Sequence, residues 1–237
     1  MTRREFIVGA TATAAALTAV GGMTGRASAA AKGDLTFASG LRAAEAIRNK
    51  EVSSVELTDL MISRIEKHDT DINAVVVRVF DQARARAKAA DAALAKDETW
   101  GPFHGVPATM KESFDVEGEI TTVGVPDLKD NHATADAETT RRLRNAGAII
   151  LGKTNVPLML MDVQSYNSIY GTTNNPWDLT RTPGGSTGGG AASLAAGFNY
   201  LVVGSDIGGS IRTPSHFCGL YGHKPTINLV SQIGHHP

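Results

Sequence analysis

Two Gly-Gly-Ser triplets, Gly184–Ser186 and Gly208–Ser210, constrain this chain more than any other feature. Their serines stand 24 positions apart, with a small-residue helix candidate and a strand candidate between them. Each serine follows two glycines, so its hydroxyl sits on a backbone free to adopt conformations that a Cβ would forbid. One such serine reads as an ordinary turn. Two, joined by a short helix-strand unit, point to a catalytic pair.

The remaining sequence reads as a scaffold for such a pair. With 237 residues, 42% of them hydrophobic, the chain can bury a sizeable core as one large domain or two small ones. In Ala38–Lys50, Leu41, Ala44 and Ile47 fall at helical spacing. Ser53 followed by Glu56 is a capping box that opens a second helix to about Lys67, with Leu57, Leu60, Met61 and Ile65 as its core face. Asn73–Phe80 reads as a strand and Asp81–Lys96 as an alanine-rich helix. Gly105–Glu112 is an apolar strand ending on Lys111, which by itself reads as a strand-end lysine reaching solvent. Ala135–Asn145 is expected to be helical and stopped by Gly147, and Ala148–Leu151 to be a buried strand, parallel to the previous one if the helix is the crossover. This rhythm argues an α/β architecture.

Composition and motifs exclude several functions. A formal charge of -1 offers no basic excess for phosphate, so nucleic acid is not an expected partner. The single cysteine, Cys218, rules out an internal disulfide and reads as a buried structural thiol. No histidine falls in an H-E-x-x-H motif or beside a C-x-x-C, so no metal site is expected. Gly147–Thr154 spells a phosphate loop, but its central Ala-Ile-Ile-Leu favours a buried strand, and Pro157 interrupts any helix that would follow. Gly184–Gly188 spells the G-x-S-x-G elbow of α/β-hydrolases. A Ser-His esterase built on it would draw on His216, His223, His235 or His236, all in Gly/Pro-rich surroundings, and is a second choice.

The N-terminus reads as an address. Arg3-Arg4 is a twin-arginine pattern, Val8–Met23 is only mildly apolar, and Ala27–Ala29 offers a small-residue cleavage site. Residues 1–29 are therefore expected to be a signal peptide for the Tat export machinery, giving a periplasmic or extracellular protein without a stable membrane span.

With Lys111, Ser186 and Ser210 in view, the sequence resembles the amidase signature family of serine hydrolases. The resemblance rests on Gly105–Gly118, Gly152–Asn155, Gly171–Asp178, Pro183–Gly189, Gly204–Pro214 and Gly219–Thr226. It implies a mixed β-sheet layered between helices, with residues 30–237 forming only the N-terminal part of the domain. It further implies that Ser210 attacks an amide carbonyl, Ser186 relays its proton and Lys111 accepts it, without a cofactor. Gly185–Ser186 would be a cis peptide, and the N–H groups of Ile207, Gly208, Gly209 and Ser210 would form the oxyanion hole. Asp206 and Arg212 are expected to hold the loop or to form a structural ion pair. Thr187 stands where many members carry another serine, and Lys153 is expected to be structural. The implied substrate is a small-molecule or peptide amide, with Leu158–Asn167 lining part of the acyl pocket.

The implied chemistry sets a physical demand. A serine hydroxyl needs a positioned base, and a lysine serves only if burial lowers its pKa from about 10.4. The apolar run Val106–Met110 suits that demand. Family members are typically longer, so the competing expectation is a truncated, inactive product whose strands lack neighbours and expose apolar surface.

Overall fold

Capping residues fix the first two helices. In the computed structural model, which describes residues 34–236, α1 (Gly40–Arg48) starts at Ser39, whose hydroxyl accepts the Arg42 amide. The capping box of Ser53 and Glu56 opens α2 (Ser54–Ile72). The expected signal peptide at 1–29 lies outside the described residues. Helix α2 runs past Lys67 because Asp69 and Ile72 still face the core, and Asn73 closes it in the left-handed region at φ 56°. The buried Asp69 carboxylate accepts the Ala74 and Val75 amides at 2.7 and 3.1 Å and so aims β1 (Val75–Arg78) away from the helix. Next comes α3 (Phe80–Leu94).

Strand β2 (Pro107–Lys111) is buried along its whole length and sits inside a four-stranded sheet ordered β1, β3, β2, β6. Both β3 (Ile149–Thr154) and β6 (Leu201–Val203) run parallel to it, whereas β1 is antiparallel to β3. Helix α4 (Glu138–Asn145) is the crossover from β2 to β3. Strand β3 extends beyond Leu151 because Gly152 lets β1 come close: a Cβ there would lie 2.2 Å from the Val77 carbonyl oxygen. Gly147–Thr154 therefore forms a strand and its lead-in, with no loop to hold phosphate.

The period-two alternation of β2 separates two environments. Ala108 and Met110 join Phe114, Leu143 and Ile150 on one face. Pro107, Thr109 and Lys111 point to the opposite face, where Ile149 and Leu151 meet α2, α3 and α5 (Gly188–Ala195). A small hairpin, β4 (Tyr166–Asn167) with β5 (Gly171–Thr172), and α6 (Arg212–Phe217) complete the elements. Among the described residues, β6 pairs on one side only, and the chain after it leaves Ile207, Tyr221, Ile227, Leu229 and Ile233 exposed.

Helix α5 rests almost directly on the sheet. A Cβ at Gly189 would lie 2.4 Å from the Asn155 amide nitrogen and 2.7 Å from its carbonyl oxygen, both backbone atoms that cannot step aside. Gly189→Ala is accordingly expected to lower stability by about 2 to 3 kcal/mol, the upper range for overpacking. An unchanged urea midpoint would show that the helix is not seated this closely.

Candidate active site

Parallel strands deliver their C-terminal ends to one edge of a sheet, where α/β proteins place their sites. Lys111 is the last residue of β2, and the pairing of Met110 with Val203 makes residues 204–210 emerge beside it. Because Lys111 lies on the α5 face, its side chain turns under the helix and is fully buried instead of reaching solvent. Its Nζ donates to Ser186 Oγ at 2.7 Å and to Ser205 Oγ at 2.9 Å, with the Ser205 carbonyl 3.5 Å away. Burial pushes the ammonium pKa down to about 7, partly opposed by the negative charge of Asp206.

Ser186 follows a cis peptide bond from Gly185 and is itself buried. Gly185 is required by space: a Cβ would meet the backbone of Asp162, Val163 and Gln164 at 2.7 to 2.8 Å. Thr187 links this block to the second serine, its amide donating to the Ser210 carbonyl at 3.1 Å and its hydroxyl to the Ser205 carbonyl at 3.3 Å. The structure thus brings Lys111 and Ser186 into direct contact and ties Ser210 to them through the backbone. The Ser210 hydroxyl makes no hydrogen bond among the described residues.

Asp206 organises the loop that carries Ser210. Its buried carboxylate accepts the amides of Gly209, Ile211 and Arg212 at 2.8, 3.0 and 3.2 Å, and the Arg212 guanidinium at 2.9 and 3.0 Å. Arg212 is the chief cause holding that carboxyl far below the ordinary range. Among the four amides expected in an oxyanion hole, that of Gly209 is engaged by Asp206. Those of Ile207, Gly208 and Ser210 have no acceptor among the described residues. A cleft of about 430 Å³ opens beside this loop, lined by Gly204–Ile207, Ile211, Phe114 and residues from the C-terminal stretch Lys224–His235.

Other residues singled out in the sequence lie outside the contacts between Lys111 and the serines. Leu158–Asn167 is not among the residues lining that cleft. Met159 and Leu160 adopt left-handed φ values of 52° and 60°, and Leu158, Met159, Met161 and Val163 face solvent while the backbone at 162–164 supports Gly185. His216 and His223 are exposed, and among the described residues no histidine hydrogen-bonds Ser186 or Ser210, as a Ser-His esterase requires. Lys153 contacts the Ile120 carbonyl and the Thr121 hydroxyl (2.6 Å), far from either serine's hydrogen bonds, and burial brings its pKa to about 8. Burial pushes the Cys218 thiol up to about 12, and no three His, Cys, Asp or Glu side chains group as a metal site among the described residues.

Two residues that touch this site are not singled out individually in the sequence. Ser205 lies in the Gly204–Pro214 block with a single glycine before it, and the β2–β6 register is what brings it beside Lys111. Ser165 is buried, accepts the Gly188 amide at 2.9 Å and so holds the first turn of α5 behind Ser186. Its sequence neighbours give no hint of that contact.

Comparison with known proteins agrees with this architecture. The amidase family profile matches residues 56–237, and the chain belongs to the amidase signature family. It is 46% identical over 188 residues to a glutamyl-tRNA(Gln) amidotransferase subunit of Moorella thermoacetica, a match covering 79% of this chain and 39% of that protein. It is 44% identical over 205 residues to the putative amidase AmiB2 of Mycobacterium tuberculosis, covering 85% of this chain and 43% of the relative. A solved structure of a fatty acid amide hydrolase superposes with a TM-score of 0.80 at 31% identity, covering 86% of this chain and 36% of that one. The chain therefore spans well under half the length of these relatives.

Burying two lysines makes stability depend on pH in a definite direction. Unfolding returns Lys111 from about 7 to its ordinary 10.5, so between these values the unfolded chain binds a proton that the folded chain does not. Stability is expected to rise with pH across that window, Lys153 adding to the rise above about 8. In Lys111→Met, urea unfolding at pH 7 to 9 should show a shallower rise; an identical slope would mean that Lys111 does not titrate low.

Proposed function

We propose that this chain carries the catalytic machinery of an exported amidase that cleaves the C–N bond of a linear carboxylic amide through an acyl-enzyme on Ser210. The observation that supports this most strongly is the 2.7 Å contact between Lys111 Nζ and Ser186 Oγ, made by a lysine that burial brings near neutrality. In this reading Ser210 Oγ bonds to the amide carbon as its proton passes to Ser186, whose own proton passes to neutral Lys111. The carbonyl electron pair moves onto oxygen, and the resulting oxyanion is held by the amides of Ile207, Gly208 and Ser210. Collapse breaks the C–N bond, and the proton on Lys111 returns through Ser186 to the leaving nitrogen, releasing ammonia or an amine. Water then repeats the sequence and releases the acid.

Ser205 fits as a second hydrogen-bond partner that orients Lys111, and Asp206 with Arg212 as the clamp on the oxyanion loop. The apolar side chains of Ile207, Ile211 and Val230 in the cleft favour an aryl, aliphatic or peptide amide with an apolar acyl group. The twin-arginine leader argues against a part in aminoacyl-tRNA synthesis, despite the likeness to a component of an amidotransferase. Fused to a reporter, residues 1–35 should direct export that is abolished by Arg3→Lys with Arg4→Lys; unchanged export would remove the Tat assignment.

The chemistry is tested on the purified chain with a fluorophosphonate probe. Labelling at Ser210 should be lost in Ser210→Ala and fall at least a hundredfold in Lys111→Ala, on the order expected for loss of a general base. Its rate in the wild type should rise with pH through about 7, since only the neutral amine accepts a proton. A folded chain with no labelling at any pH would favour a catalytically inactive chain instead.

A further inference from the structure

The C-terminal segment lines the cleft beside Ser205, the serine bonded to Lys111. Gly234–His236 lies antiparallel to Ser113–Asp115, the turn that directly follows β2: the Asp115 amide donates to the Gly234 carbonyl at 2.9 Å and the His236 amide to the Ser113 carbonyl at 2.8 Å. The turn is itself closed by the Phe114 amide, which donates to the Lys111 carbonyl at 3.0 Å. These bonds fix His235 opposite Phe114, and the two rings stack with centroids 4.5 Å apart and planes tilted by 50°. Phe114 and His235 line the cleft together with Ser205, whose hydroxyl is bonded to Lys111.

The His235 ring is held for shape, without a polar partner. Its Nε2 is buried and makes no hydrogen bond, whereas the neighbouring His236 ring reaches out to the Asp115 carboxylate at 3.0 Å. We propose that His235 is a positioning residue for Lys111: its ring, pinned on Phe114, closes the lysine's pocket against water from the C-terminal side. This inference rests on the reading of Lys111 as the base, because desolvation is what frees that amine to act.

The charges around the ring agree with a neutral wall. Burial comes first in depressing the His235 pKa, to about 4, and the nearby positive charges of Lys111 and His236 add to it against the opposing Asp115. Asp206 from the loop after β6 and Lys224 from the C-terminal stretch are the other charged groups on this cleft. A protonated imidazole here would repel the Lys111 ammonium, so the ring serves by its volume and neutrality across the range in which Lys111 titrates.

The test reads the lysine directly. In protein carrying 13C-labelled lysine, the NMR titration midpoint of Lys111, assigned by its absence in Lys111→Met, is followed in wild type, His235→Ala and His235→Phe. His235→Ala should raise the midpoint by one pH unit or more, because water enters, and His235→Phe should leave it within a few tenths, because an apolar ring still fills the place. A midpoint unmoved in folded His235→Ala, or raised as far in His235→Phe, overturns the proposal. Should His235→Ala fail to fold, Phe114→Leu removes the ring that pins the imidazole and must raise the same midpoint. Fluorophosphonate labelling is scored separately: a shifted midpoint in a chain that does not label would sink the amidase reading and leave the wall standing.

Discussion

The structure turns on the burial of one ammonium group at the end of its central strand. Holding Lys111 with a pKa of about 7 in place of 10.5 costs the fold on the order of 5 kcal/mol at neutral pH. That is comparable to the whole net stability of many domains. Water exclusion is the source of that burden, which the hydrogen bonds to the Ser186 and Ser205 hydroxyls offset only in part. In the proposed reaction, desolvation is also what makes the lysine useful as a base. Stability and chemistry therefore pull against each other at a single atom, Lys111 Nζ.

Close approach is what the glycines supply. At Gly185 and Gly189 the limiting neighbours are backbone atoms of 162–164 and of Asn155, so no side chain can rotate away to admit a Cβ. Seating α5 at this distance brings Ser186, two residues before the helix, within hydrogen-bond reach of a lysine on the strand beneath. At Gly208, by contrast, a Cβ would meet nothing within 4 Å. The backbone is therefore open at Gly208, whereas at Gly209 a Cβ would lie 2.9 Å from the Thr213 hydroxyl oxygen.

Much of this was legible in the sequence because the elements rest on local rules. The Ser53–Glu56 capping box, the apolar run ending at Lys111 and the Gly147 stop all act within a few residues, and each element formed close to where it was expected. The family blocks marked Lys111, Ser186 and Ser210 although the lysine lies 75 positions from the first serine. What stayed hidden depends on tertiary register. Ser205 meets Lys111 only because β6 pairs with β2 in parallel, and Asp69 prolongs α2 only because it must satisfy two amides of the following strand. The apolar residues of Leu158–Asn167 suit a pocket wall by composition, but Leu158, Met159, Met161 and Val163 face solvent and Met159 and Leu160 take left-handed φ values, features that no local pattern announces.

The same register decides which of two buried lysines can serve the serines. Lys153 pairs with Met110 across β2 and β3, and Lys111 pairs with Thr154. In a parallel sheet, paired neighbours share a face and successive residues alternate, so the two lysines point to opposite sides of one sheet. Lys153 joins the side that holds Glu112, whose negative charge favours its ammonium, and it spends its donors on a carbonyl and a hydroxyl of residues 120 and 121. Lys111 meets only serines on the other side, with Asp206 as a more distant counter-charge and a lower pKa as the result. Two chemically identical side chains, one residue apart in register, are thus divided into a structural cation and a candidate base by the pleat of the strands that carry them.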